Sequence, residues 1–105
     1  MTIERARAVA ATLRSASVRA LGLEVSGAVQ VSCNLIDPMA TSPAQVADWV
    51  RAQLVGDEQI IRAELVGLLP RAALDRVAPD RWRELDLSEA RTIEAAARRL
   101  EVVLG

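Results

Sequence analysis

Ala28-Val-Gln-Val-Ser-Cys-Asn-Leu-Ile36 alternates without a break. Val29, Val31, Cys33 and Leu35 are apolar, whereas Gln30, Ser32 and Asn34 are polar. Alternation with period two places one set of side chains on a core and the other away from it, so the segment predicts a half-buried β-strand. Just upstream, Ser26-Gly27 is a two-residue turn signal, and Val18 to Val25 before it is an apolar, β-branched run. Two such runs on either side of a two-residue turn predict a β-hairpin.

Helices are expected on both sides of the hairpin. Ile3, Ala6, Ala10 and Leu13 recur at helical spacing behind Thr2, a capping residue. After the hairpin, Ser42-Pro43-Ala44-Gln45 combines a Ser cap, Pro at the first helical position and Gln three residues after the Ser. That is a capping box, and Val46, Trp49, Val50 and Leu54 continue it as a stripe towards Gly56, a left-handed terminator. Gln59 to Leu69 predicts a third strand, with Ile61, Ala63 and Leu65 on one face and Arg62 and Glu64 on the other. Pro70 opens a short helix from Arg71 to Val77. Ser88 is expected to cap a last helix bearing Ile93, Ala96, Ala97 and Leu100, and periodicity leaves the tail Leu100 to Leu104 open between helix and strand. The order α-β-β-α-β-α-α predicts one α+β domain over residues 1–105, an antiparallel sheet with helices on one face and no internal repeat or linker.

Composition narrows the chemistry. The chain has 105 residues, 51% of them hydrophobic and 26% charged, which is a globular balance. There is no His, the usual neutral-pH base and commonest metal ligand, and no Lys, which rules out Schiff-base chemistry by this chain. One Cys excludes an internal disulfide, gives no thiolate zinc set and suits a reducing compartment, so no metal and a cytoplasmic setting are expected. No run of ~18–20 apolar residues is present to span a bilayer, and no apolar core follows the charged N-terminus as in a secretory signal. Net charge is −1 and the aromatics are two tryptophans, neither a field nor a stacking platform for nucleic acid. In Arg81-Trp82-Arg83, acidic neighbours cancel the local charge, so a packed Trp between solvated charges is expected there. All thirteen basic residues are Arg, accompanied by nineteen alanines, which fits a GC-rich coding bias as well as a choice for bidentate anion recognition.

Two segments carry a resemblance. Gln30-Val-Ser-Cys-Asn-Leu-Ile-Asp37 with Thr41-Ser-Pro43, and Ala63-Glu-Leu-Val-Gly-Leu-Leu-Pro-Arg-Ala-Ala-Leu74, resemble the C-terminal subdomain of glutamate formimidoyltransferase. Val18-Arg-Ala-Leu-Gly-Leu23 is similar to the first hairpin strand of that subdomain. The resemblance covers most of the chain and thins after about Val77. It implies a ferredoxin-like subdomain, lacking here the family's first strand; either the sheet closes over the gap, or Val102-Val103-Leu104 or a partner chain fills it. It also implies formimino transfer between N-formiminoglutamate and tetrahydrofolate, with the folate-type ligand held between two subdomains. The catalytic histidine of the family lies in its N-terminal subdomain. This chain has no histidine, so activity would require an N-terminal formiminotransferase half, either a separate polypeptide or a further part of the same one.

The residues expected to matter follow from the alternation. Gln30, Ser32 and Asn34, together with Arg62 and Glu64, point away from the helix-covered face. They form either a solvated surface or the lining of a ligand tunnel, offering amide, hydroxyl and charged groups to a pterin and a glutamate tail. Arg62 would clamp a carboxylate and Glu64 accept from a pterin N–H, or the two form a surface ion pair. Glu64 matches the family motif by position and Arg62 does not. Asp37 and Thr41 are expected to build the turn before the Ser42 cap, and Cys33 to be a buried inert thiol. The alternative to a ligand wall is a non-catalytic module that pairs with a second copy through its open sheet face, giving a homodimer.

Overall fold

The structure is a computed structural model that describes residues 1–95. It holds two compact units, Met1–Ile60 and the part beginning at Ile61. In the first, helix α1 (Ile3–Leu13) leads into strands β1 (Val18–Val25) and β2 (Ala28–Leu35), and helix α2 (Pro43–Gln53) follows. The two strands pair antiparallel and the helices pack against them, so the class is α+β.

The hairpin closes as the alternation predicts. Ser26 and Gly27 both have positive φ, 51° and 77°, the geometry of a tight turn whose twist matches that of the strands. The resulting register sets Val25 against Ala28 and runs back to Val18 against Leu35. Val31, Cys33 and Leu35 of β2 therefore share a face with Val18, Ala20 and Gly22 of β1. That face meets Ala10 and Leu13 of α1, with Val46 and Val50 of α2 completing the cluster.

Helix α1 lies so close to β1 that Gly22 is the only side-chain choice the contact admits. A Cβ placed there would sit 2.6 Å from the Arg7 nitrogen and 2.7 Å from the Ala6 carbonyl carbon, inside van der Waals contact with backbone. Small residues on the helix side complete the fit, since Ala6 and Ala10 are both fully buried.

Caps and side-chain bonds fix the helices. The Thr2 hydroxyl accepts from the Arg5 N–H at 3.1 Å. Ser42 and Gln45 form the expected reciprocal box at 3.2 and 2.7 Å. Before it, Asp37 Oδ1 accepts from the N–H groups of Met39 and Ala40, and the Thr41 hydroxyl meets that of Ser17 at 2.7 Å. Between the helices, the Trp49 indole N–H donates to the Thr12 hydroxyl, whose one proton faces both the Val9 carbonyl and Gln53 Oε1. Trp49 is half exposed and lies off the packed stripe, in contrast to the expectation that it joins Val46 and Val50. Gly56 has the expected positive φ, 59°, but in a turn closed by Glu58 N–H to the Val55 carbonyl, two residues past the end of α2. Arg5 grips that turn: its Nε and Nη2 meet the two Glu58 oxygens at 3.2 and 3.1 Å, and Nη2 also reaches the Gln53 carbonyl.

The second unit departs from expectation. Gln59 to Leu69 is extended but forms no strand ladder among the described residues, only a single parallel bridge from Leu69 to Thr92. Side chains meet its backbone instead. Asp86 accepts from the Leu65 N–H, and the Arg91 guanidinium donates to the carbonyls of Leu65 and Gly67 while pairing with Asp86. Gly67 itself, at φ +87°, breaks the extended run. Ile61, which a strand would cover, is about nine-tenths exposed.

Helix α3 is shorter than expected, Arg71–Leu74, and its Ala73 and Leu74 join Leu69, Val77, Leu85 and Leu87 as the buried hydrophobic residues described in this unit. Trp82 is partly buried and donates its indole N–H to the Val77 carbonyl, the packed role expected of it. Ser88 makes no capping bond; it precedes a single 3-10 turn, Glu89–Arg91. The helical residues Ile93 to Ala95 are capped by Thr92, whose hydroxyl accepts from the Ala95 N–H. Ser and Thr are both good caps, so spacing alone did not separate them. The expected helical residues Ala96, Ala97 and Leu100, and the tail through Leu104 considered for the missing strand, lie outside the described residues.

Two predictions follow from the first unit. Gly22→Ala should destabilise it by about 1–3 kcal/mol, since helix backbone must move to admit one methyl; thermal denaturation measures this, and an unchanged midpoint would refute the close approach. Glu58→Gln tests the Arg5 contact through pH. The hydrogen bond from Arg5, and then that from the Val55 N–H, hold the Glu58 carboxyl below its ordinary value. Its contribution is thus complete above that ordinary value, ~4.3, and is lost as pH falls through the lowered one. The stability gap between wild type and E58Q should be constant near neutrality and close on acidification, read by denaturant melts at successive pH values.

Candidate functional face of the hairpin

The face of the hairpin turned away from α1 and α2 is set by the same register. Gln30 lies across from Leu23, Ser32 from Leu21 and Asn34 from Arg19. All three polar residues of β2 are exposed, as the alternation predicts, and among the described residues their side chains form no hydrogen bond. Successive ones stand roughly 7 Å apart along the strand. They form a row of amide, hydroxyl and amide groups with their hydrogen-bonding capacity unspent.

Strand β1 makes the other half of this face apolar from Leu21 to Val25. Leu21 is 58% exposed and Val25 50%, and Leu23 is half-buried between them. Arg19 stands at the end of the row opposite Asn34. It was not singled out in the sequence, although a two-residue turn at Ser26-Gly27 fixes which residue each one opposes.

Arg62 and Glu64 belong to the second unit and are not on a strand, contrary to expectation. They share a side of the extended chain and meet each other, Arg62 Nε to Glu64 Oε1 at 2.9 Å, both well exposed. A guanidinium so engaged has a carboxylate already, and an exposed pair of this kind contributes ~1 kcal/mol or less. The structure therefore brings Gln30, Ser32 and Asn34 together and sets Arg62 with Glu64.

Cys33 faces the helices and is half-buried, and burial pushes its thiol up, away from the reactive thiolate. Among the described residues, no group of three or more Cys, Asp or Glu side chains is placed to hold a metal ion, and no helix is long and apolar enough to cross a membrane. No protein-family model, curated protein or solved structure matches this chain.

Two substitutions separate the two faces. Val31→Asp puts a carboxylate against the helices and should destabilise by roughly 2–5 kcal/mol. Asn34→Ala, on the open face, should change stability by no more than about 0.5 kcal/mol. Equal damage from both in thermal denaturation would show that the faces are wrongly assigned.

Proposed function

We propose that this chain supplies one wall of a folate-type site in a formimidoyltransferase, working with an N-terminal half that carries the catalytic histidine. The observation that supports this reading is the unspent polar row Gln30, Ser32 and Asn34, which falls inside the segment resembling that family. Its amides and hydroxyl offer both donors and acceptors, as the edge of a pterin requires. The neighbouring Leu21 and Leu23 give a flat ring an apolar surface. The chain has no His, Lys or Tyr, and so lacks the usual neutral-pH general base. Its part in formimino transfer is positioning: holding tetrahydrofolate so that the partner's histidine meets the reacting nitrogen. The setting is the cytoplasm, where a lone thiol such as Cys33 stays reduced.

A second reading rests on Leu21 and Val25, each half exposed on the same face. Two copies meeting through this surface about a two-fold axis would cover it, making the chain a non-catalytic homodimer.

Isothermal titration with folinate, run beside analytical ultracentrifugation, separates the two. Binding at ~100 µM or tighter, roughly −5 to −6 kcal/mol, is the expected result for a ligand wall. No heat together with a stable dimer would overturn it in favour of self-association.

A further inference from the structure

We infer that Arg19 is the anion-binding group of this face and receives a carboxylate at the end of a ligand whose uncharged part lies along Ser32 and Gln30; this rests on the ligand-wall reading above. Arg19 carries the only formal charge on the open face of the hairpin, whose remaining residues are apolar or neutral polar. It is exposed and, among the described residues, makes no ion pair or side-chain hydrogen bond. Four other arginines are already engaged, Arg5 with Glu58, Arg62 with Glu64, Arg71 with Asp75 and Arg91 with Asp86, and none of the thirteen but Arg19 lies on this face.

Asn34 lies directly opposite Arg19, with Cβ atoms about 5 Å apart for such a pair, so its amide N–H donates into the same space as the guanidinium. A guanidinium and an amide side by side make a fork for a carboxylate: the planar N–H pair of Arg binds it bidentately, and the amide adds a third donor. Moving along the strands from this end, the next cross-strand pairs are Leu21 with Ser32 and Leu23 with Gln30, uncharged and half apolar. The face is thus polarised along its length, with a cationic end and a neutral amphipathic stretch. A ligand with an anionic tail and a flat, hydrogen-bonding head fits in one direction only. Arg62, considered for this role in the sequence, has its guanidinium on Glu64.

The test compares wild type, Arg19→Gln and Arg19→Lys by isothermal titration at neutral pH with two probes. Folinate carries the carboxylate tail, and 6-hydroxymethylpterin has the head alone. R19Q is expected to bind folinate about tenfold more weakly, with R19K in between, because an ammonium keeps the charge and loses the fork. Both variants should bind 6-hydroxymethylpterin as wild type does. Thermal midpoints should be unchanged, since the Arg19 side chain holds no other group among the described residues. Equal folinate affinity in R19Q and wild type overturns the assignment of Arg19 while leaving the ligand wall standing. An equal loss for both probes also overturns it, because the effect is then not on the tail. Absence of folinate binding by wild type overturns the ligand wall and this inference with it.

Discussion

The first unit depends on the near-contact between α1 and β1 at Gly22. Backbone meets backbone there with no side chain between, so the helix axis is set by the strand and not by the fit of larger groups. Ala6 and Ala10 on the helix and Ala20 on the strand keep the layer equally thin. A chain this short has little apolar volume to spend on its interior, and close approach lets small residues exclude water where bulky ones would be needed at a wider spacing. α2 then adds Val46 and Val50 at the margin of the cluster and has no fully buried residue of its own.

Because one face of the hairpin is pressed so closely to helix, the opposite face is fixed as well. Every residue of β1 and β2 has its side determined by the turn, and a slip of one position would bring Arg19 or Asn34 against Ala10 and Leu13. The order of groups along the open face, cationic at one end and neutral beyond, is therefore as firmly held as the core. The ligand wall proposed for this face requires no moving part. It requires that the register stay where Ser26 and Gly27 set it.

Much of the first unit was legible in the sequence. Unbroken alternation from Val29 to Leu35, a two-residue turn and a complete capping box are local signals, and each is satisfied by atoms a few residues away. The open-face triad Gln30, Ser32 and Asn34 was legible for the same reason. Arg19 was missed because β1, read alone, has a Gly at position 22 and apolar residues on both sides, so its alternation is blurred. The second unit was legible only in part. Gln59 to Leu69 has the composition of a strand, but composition does not say what will satisfy its backbone. Arg91 and Asp86 do so from more than twenty residues away, and no pattern within the segment points to them. Likewise Arg62 and Glu64 share a side of the chain as their spacing requires, yet face each other instead of a sheet neighbour.

Each unit holds a single tryptophan, and the chain has no other aromatic side chain. Trp49 is half in water, bonded to Thr12 between α1 and α2, while Trp82 is partly covered and bonded to the Val77 carbonyl. Indole emission shifts with exposure, so the intrinsic fluorescence of this protein is the sum of two separable signals, one for each unit. With no tyrosine to transfer energy into either ring, the loss of structure around Thr12 and around Val77 is reported by two different indoles in one molecule, without a label.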